Sequence, residues 1–70
     1  MTDRHYRFPV GQVLRHRKGG EYIIVGHAMN KTDDRPCYLY RTNGGRDVAS
    51  IYVRDRDEME EKFRPKVLGP

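Results

Sequence analysis

The side chains best suited to chemistry in this sequence are three histidines and a single cysteine. His5, His16 and His27 recur at intervals of eleven residues, whereas metal ligands converge on one point and usually include a closely spaced pair. His16 and His27 could approach each other if their strands pair, but we favour two surface imidazoles. Cys37 follows Pro36 at the start of an extended run. Nothing marks its thiol as activated, so we expect a half-buried structural residue.

The acidic and glycine-containing segments also lack the pattern of a catalytic site. Five carboxylates between residues 55 and 61 alternate with basic side chains, which is typical of helix capping and solubility. The run Lys18-Gly19-Gly20 lacks the strand–loop–helix context of a phosphate-binding loop. We therefore expect no catalytic residues, no metal, no cofactor and no enzymatic activity.

Tyrosines and basic residues form the most promising set for binding. Aromatic rings stack on unpaired bases and arginines contact phosphates, so these residues can form a platform for single-stranded nucleic acid. They can equally form a groove for an extended peptide, as aromatic ledges do in SH3-like domains. Alternatively, Tyr22, Tyr38 and Tyr40 lie partly in the core, since tyrosine favours strands. The candidate binding residues are Arg15, Arg17, Lys18, Tyr38, Tyr40, Arg41, Tyr52 and Arg54, together with Arg46.

The positive charge of the chain is concentrated at its start. The formal net charge is +4 over 70 residues, and positions 1–20, with five basic residues and one acidic residue, supply all of it. A basic arm of this kind can meet phosphates or an acidic protein. A solvated surface that aids solubility explains this modest charge equally well.

Short strands must position these side chains, because turn residues divide the chain at regular intervals. Turns are predicted at 18–20, 30–36 and 43–46, where Asn-Gly is a strong hairpin signal because both residues tolerate positive φ. Runs rich in β-branched and aromatic residues separate the turns. These runs, at 12–17, 21–29, 37–42 and 47–54, predict an antiparallel meander of four strands.

The second run is apolar on both faces, which is typical of a strongly bent strand that serves two layers. Gly26 is the predicted bend or bulge. In the fourth run we expect Ile51 and Val53 to point inward. Simple alternation divides the second run into two sets, with Tyr22, Ile24, Gly26 and Ala28 opposite Ile23, Val25, His27 and Met29.

The segment 55–63 changes to a helical period, since Met59 and Phe63 are four residues apart and can face the core from one helical turn. Asp55 with Glu58, or Asp57 with Glu60, has the spacing of a capping box at the start of the helix. Pro65 would end the turn, and Val67 can add a short final strand.

Together these elements predict a mainly β fold: a small SH3-like barrel or strongly twisted antiparallel sheet of four to five strands with one short C-terminal helical turn. We expect a flexible N-terminal arm at 1–9, a single small β domain at 10–67 and a frayed C-terminus at 68–70. One cysteine excludes an internal disulfide, and neither a signal peptide nor a membrane span is visible. We therefore expect a cytoplasmic monomer that does not associate with membranes.

The chain resembles a short bacterial and phage family of domains of unknown function. Its members usually have His-x-Lys-Gly-x-x-Tyr near the start and Trp-Val-Arg-Pro near the end. The resemblance implies a small SH3-like β fold and carries no known activity. Here Tyr52 stands at the usual Trp position and Asp55 at the usual Pro position. The residues that carry the resemblance, within 12–63, are Arg15-His16-x-Lys18-Gly19-Gly20-x-Tyr22-x-x-x-Gly26, Tyr38-Leu39-Tyr40, Tyr52-Val53-Arg54, Met59 and Phe63.

Two functions remain open at this level. We expect a binding module, first a protein-interaction adaptor or modulator that takes a protein or peptide partner through its rim and the 30–36 loop. The alternative is a nucleic-acid-binding module that uses the basic N-terminal third and a tyrosine-bearing face. Convergence of Arg15, Arg17, Arg41 and Arg54 on one exposed face with a tyrosine would favour nucleic acid. Scattered arginines beside an exposed apolar patch would favour a protein partner.

Overall fold

The fold consists of one antiparallel sheet and one short helix. A computed structural model describes residues 6–44 and 49–66. The elements in chain order are β1 (Val13–His16), β2 (Glu21–Asn30), β3 (Arg35–Thr42), β4 (Tyr52–Asp55), α1 (Arg56–Lys62) and β5 (Phe63–Pro65). The five strands lie in the order β4-β3-β2-β1-β5. The mainly β class is therefore confirmed as a single antiparallel sheet, which does not close into a barrel among the described strands.

The first three strands follow the predicted runs, and the main difference lies in the turn after β2. β3 begins two residues earlier than predicted because Arg35 pairs with Asn30. The turn therefore occupies only 31–34. Asp34 there adopts a φ of 56°, a left-handed conformation in which aspartate is enriched. The predicted 30–36 loop was too long.

The end of the chain is arranged differently from the prediction. β4 begins only at Tyr52, and residues 45–48 of that region, with Arg46, lie outside the described residues. The predicted strand at Val67 and the predicted frayed C-terminus also lie outside them. Phe63 has extended backbone (φ −117°, ψ 153°) directly after the helix. β5 therefore starts there and pairs with β1.

The predicted irregularity in β2 is confirmed. The register against β3 shifts between Ile24 and Gly26, after which Gly26 lies opposite Leu39 and His27 opposite Tyr38. A Cβ on Gly26 would lie 3.2 Å from Leu39 Cδ1, so the two residues share a face. The extra residue reverses the alternation and brings the His27 ring to 5.4 Å from the buried Tyr38 ring. Simple alternation was therefore wrong beyond Ile24.

One face of the sheet carries the hydrophobic core. Helix α1 packs on this face and contributes Met59, while Phe63 follows at its C-terminal end. The predicted inward direction of these two side chains is confirmed. The core consists of Phe8, Leu14, Ile24, Tyr38, Tyr40, Met59 and Phe63, with Tyr6 and Tyr22 packed against it.

Helix α1 begins at the predicted cap. The Asp55 carboxylate accepts a hydrogen bond from the Asp57 backbone N–H at 3.1 Å and pairs with Arg35, whose Nε lies 2.7 Å from Asp55 Oδ1. This capped carboxylate therefore joins the start of β3 to the start of the helix. Among the described residues no helix has the length and apolar character needed to cross a bilayer.

Part of the predicted flexible arm belongs to the folded domain. Phe8 is buried in the core, and its backbone N–H donates to the Tyr38 hydroxyl at 3.0 Å. The Arg7 backbone N–H donates to Glu60 Oε2 at 2.9 Å. Residues 1–5 lie outside the described residues. The boundary predicted at residue 10 was therefore too late, because long-range contacts to β3 and α1 hold this segment.

Ile51 and Val53 do not point inward, and that prediction was wrong. Val53 is 62% exposed and Ile51 is 51% exposed. Val53 lies opposite Leu39, whereas Arg54 lies opposite the buried Tyr38. Strand β4 therefore turns its polar Arg54 toward the core side and Val53 toward the other face.

Candidate functional site

The predicted binding residues are divided between the two faces of the sheet. Arg15 and Arg41 lie on the face opposite the core, because they share register rows with Glu21 and Ile23. Arg17 and Lys18 lie in the exposed turn between β1 and β2. The remaining candidates with described positions, Tyr38, Tyr40, Tyr52 and Arg54, lie on the core side.

Tyr38 does not reach the surface. Its side chain is 0% exposed, and its hydroxyl donates to Glu60 Oε2 at 2.6 Å. Burial and this neighbouring carboxylate raise the pKa of Tyr38, so the phenol stays neutral at ordinary pH. A buried, hydrogen-bonded tyrosine is a structural residue, so Tyr38 was wrongly placed among the binding residues.

Tyr40, Tyr52 and Arg54 are brought together at one cavity. The cavity has a volume of about 240 Å³ and is lined by Tyr22, Tyr40, Thr42, Tyr52 and Arg54; we call it the tyrosine cavity. The ring of Tyr40 lies 5.6 Å from those of Tyr52 and Tyr22. Tyr40 is buried and forms the floor, whereas Tyr52 is 37% exposed and forms a wall that a ligand can reach.

Arg54 is held rigidly beside this cavity. Its Nε donates to the Tyr40 hydroxyl at 3.1 Å, and its Nη1 donates to Glu58 Oε2 at 2.8 Å. Its guanidinium carbon lies 5.7 Å from the centre of the Phe63 ring, within the range of a cation–π contact. The hydrogen bond to Tyr40 and the carboxylate of Glu58 raise the pKa of Arg54.

Positive charge accumulates next to the tyrosine cavity. His16 packs edge-on against Phe63 at 4.8 Å, and its Nδ1 accepts the Lys18 backbone N–H at 3.0 Å. Partial burial, and then the charges of Arg54 and three further basic residues, lower the pKa of His16. Glu58 is shared between Arg54 and Lys62, so this end of the molecule keeps a positive excess.

The lowered pKa of His16 predicts a stability change near neutral pH. The folded state binds a proton at His16 less readily than the unfolded state does. The contribution of His16 to the free energy of unfolding is therefore complete above the ordinary pKa of 6.5 and is lost as the pH falls below that value. We expect the free energy of unfolding, measured by urea denaturation, to decline below pH 6.5. The decline between pH 6.5 and 5 should be smaller in His16→Gln.

The acid range supplies the control for that experiment. Hydrogen bonds to basic partners lower the pKa values of Glu21, Asp55 and Glu58, so their contributions are lost only as these carboxylates become protonated in more acidic solution. His16→Gln should therefore retain the acid decline of the wild type. An unchanged slope between pH 6.5 and 5 would contradict the assignment to His16.

The opposite face of the sheet is open and carries apolar side chains. Val13, Ile23 and Leu39 are half-buried there, next to the exposed Val53. Gly26 allows the Leu39 side chain to lie flat against β2. We call this surface, formed by Val13, Ile23, Leu39 and Val53, the open face.

A second depression adjoins the open face. It is about 340 Å³, is formed mainly by residues 9–13, and has Lys66 at its margin. Lys66 Nζ lies 3.0 Å from Glu21 Oε2, so its charge is already paired. The apolar lining extends the open face toward the N-terminal segment and offers no aromatic platform.

The two histidines that the structure describes, His16 and His27, do not converge. His16 lies against Phe63, whereas His27 stacks on Tyr6 at 4.0 Å and its Nε2 lies 2.8 Å from the Phe8 carbonyl oxygen. Within the described ranges no three histidine, cysteine or acidic side chains form a metal-binding group. The thiol of Cys37 is buried against the Ala28 carbonyl, which is a structural position. His5 lies outside the described residues.

Tyr22 and Thr42 line the cavity although neither was among the predicted binding residues. Tyr22 is the last residue of the His-x-Lys-Gly-x-x-Tyr motif that starts at His16, so the sequence did contain a signal for it. Thr42 carried no such signal, because its place depends on the pairing of β3 with β2 at Tyr22.

No protein-family model matches this chain, and no curated protein or solved structure matches it either. The resemblance to the short bacterial and phage family therefore stays a prediction that rests on the motifs within 12–63.

Proposed function

We propose that the protein is a protein-interaction module that binds its partner through the open face. The observation that carries this proposal is the apolar surface around Val53, which is 62% exposed in a strand that pairs with Leu39. Contiguous exposed apolar surface on a small domain is typical of an interaction site. Ile51, two residues earlier, extends this surface along the edge of the sheet.

Charge defines the chemistry of the partner. Arg15 and Arg41 flank the open face, while the carboxylate of Glu21 on this face is paired with Lys66. The open face therefore combines an apolar centre with a positive rim. A partner with a complementary apolar surface bordered by acidic groups fits it best.

The division of the arginines favours a protein over nucleic acid. Arg15 and Arg41 lie on the open face, whereas Arg54 lies on the core side beside the tyrosine cavity. A phosphate backbone needs a continuous row of cations along one surface. The separation of these arginines by the thickness of the sheet supports the adaptor hypothesis. The free, buried thiol of Cys37 fits the cytoplasmic location that we propose with it.

Substitution of Val53 by aspartate tests the proposal. A partner is isolated with immobilised protein, purified and titrated by calorimetry against the wild type and Val53→Asp. We expect Val53→Asp to weaken binding at least about tenfold, because it places an unpaired charge against the apolar surface of the partner. The matched control is Thr32→Asp, which adds the same charge at an exposed residue of the turn between β2 and β3. Equal affinity of Val53→Asp and wild type would refute the proposal.

A nucleic-acid titration distinguishes the alternative. Fluorescent single- and double-stranded DNA and RNA are titrated with protein at low and at physiological salt. We expect no micromolar binding at physiological salt. Micromolar binding that weakens steeply with salt and is lost in the double variant Arg15→Ala, Arg17→Ala would replace the adaptor proposal with a phosphate-contacting function.

A further inference from the structure

We propose that the tyrosine cavity binds a single nucleotide unit, with the base against Tyr52 and Tyr40 and the phosphate at Arg54. This site lies on the core side of β4, away from the open face. Nucleotide binding there is therefore independent of the proposed protein partner and is tested separately. Three features carry the inference: the aromatic lining, the fixed arginine and the positive surroundings.

The aromatic lining fits one planar ring system. Tyr40 and Tyr52 present rings inclined by 40° with centroids 5.6 Å apart, and Tyr22 stands edge-on to Tyr40 at 79°. The volume of about 240 Å³ is below the range of about 300–1,000 Å³ of sites for drug-sized ligands. A single base fits this space, and stacking on tyrosine tolerates any base because every base has a π face.

The guanidinium of Arg54 is preorganised to bind an anion. Of the five N–H donors of a guanidinium, the contacts to Tyr40 and Glu58 use the Nε–H and one Nη1–H. Among the described residues no hydrogen bond uses the remaining donors, which can therefore face a ligand in the cavity that Arg54 lines. Because Tyr40, Glu58 and Phe63 fix the side chain, a ligand does not need to order it, and such preorganisation increases affinity.

The surrounding charge favours a phosphate over a carboxylate. His16 lies within the electrostatic reach of four cations, Arg54, Lys18, Arg17 and Lys62, and Glu58 is the carboxylate that pairs with both Arg54 and Lys62. A doubly charged phosphate gains more from several cations than a singly charged carboxylate does. A ring joined to a phosphate is the chemistry of a nucleotide.

An NMR titration tests the site. ¹⁵N-labelled protein is titrated separately with AMP, GMP, CMP and UMP, with adenosine, with inorganic phosphate and with benzoate. We expect saturable shifts at Tyr22, Tyr52 and the Arg54 Nε–H with the nucleotides, and at least about tenfold weaker binding of adenosine, phosphate and benzoate. Binding of the nucleotides should weaken with added salt. Absence of saturable shifts at millimolar nucleotide, or benzoate binding as tight as AMP, would overturn the proposal.

Variants assign the binding to the residues of the cavity. Tyr52→Leu should weaken AMP at least about fivefold through lost stacking, whereas Tyr52→Phe keeps the ring and should bind within about threefold of wild type. Arg54→Lys should weaken AMP, since lysine lacks the planar fork. Arg64→Lys, the same exchange at a guanidinium that donates to carbonyl oxygens of α1 and does not line the cavity, is the matched control. Wild-type affinity of Tyr52→Leu, with a native-like spectrum, would overturn the proposal.

A trinucleotide identifies the source of the nucleotide. A 5′-phosphorylated trinucleotide is titrated under the same conditions as AMP. Affinity well above that of AMP would support the site as a reader of a strand end. Equal or lower affinity, with AMP still bound, would support a free mononucleotide.

Discussion

Replacing Phe63 with alanine should lower the free energy of unfolding by about 3–5 kcal/mol, the cost of removing a large buried aromatic side chain. Phe63 is fully buried and packs against His16, Tyr22 and Tyr40. Domains have about 0.05–0.15 kcal/mol of stability per residue, so the loss should leave much of this small domain unfolded. Urea denaturation followed by circular dichroism measures the effect.

Two further variants keep this prediction testable if Phe63→Ala does not fold. Phe63→Leu preserves most of the apolar volume and should cost less than about 1.5 kcal/mol. Val53→Ala removes an exposed apolar side chain and should change the free energy of unfolding by less than about 0.5 kcal/mol. A cost of Phe63→Ala similar to that of Val53→Ala would contradict the central position of Phe63 in the core.

Removing the Tyr38 hydroxyl should cost about 1.5–3 kcal/mol, because it leaves the buried Phe8 backbone N–H without this acceptor and removes a hydrogen bond to the charged Glu60. The hydroxyl donates to Glu60 at 2.6 Å and accepts from the Phe8 backbone N–H at 3.0 Å. Tyr38→Phe should therefore loosen the N-terminal segment from β3 and α1. Hydrogen exchange at the Phe8 amide should accelerate, together with the lower midpoint of urea denaturation.

A double-mutant cycle separates this hydrogen bond from general packing. Tyr38→Phe and Glu60→Ala should be strongly non-additive, because each removes the same contact. Tyr22→Phe is the matched control, since it removes a hydroxyl from a half-buried ring of the same core and should cost less than about 0.5 kcal/mol. Additive effects at Tyr38 and Glu60 would show that the two side chains stabilise the fold separately.

The raised pKa of Tyr38 also predicts that the stability of the fold depends on pH in alkaline solution. The folded state holds the phenolic proton more tightly than the unfolded state does. The contribution of the Tyr38 hydroxyl to the free energy of unfolding is therefore complete below the ordinary pKa of 10.0 and declines as the pH rises above it. Tyr38→Phe should reduce this alkaline decline.

The sequence by itself determined the local elements of this protein. Tyrosines and β-branched residues place β1, β2 and β3 within about two residues of their observed bounds, because turn chemistry is local. Gly19 and Gly20 both adopt positive φ in the first turn, as glycine allows. Asp55 caps α1, and Met59 and Phe63 face the core, since helical spacing alone places them on one side.

Three of the five residues that line the tyrosine cavity were also predicted from the sequence. Tyr40, Tyr52 and Arg54 were predicted as binding residues, because tyrosines and arginines at strand spacing suit stacking and anion binding. Tyr22 was not among them, although it belongs to the His-x-Lys-Gly-x-x-Tyr motif that starts at His16. Their convergence required the particular register of β4 on β3 and of β3 on β2, which no local pattern specifies.

Only the tertiary structure decided which side chains face the core. One extra residue between Ile24 and Gly26 reverses the rest of β2, because side chains alternate with a period of two and a single insertion inverts them. Val53 faces outward and Tyr38 inward for a related reason, since register and the position of α1 decide which apolar side chains are covered. Phe8 belongs to the core through contacts to β3 and α1 more than 20 residues away, and such long-range contacts leave no periodic trace in the sequence.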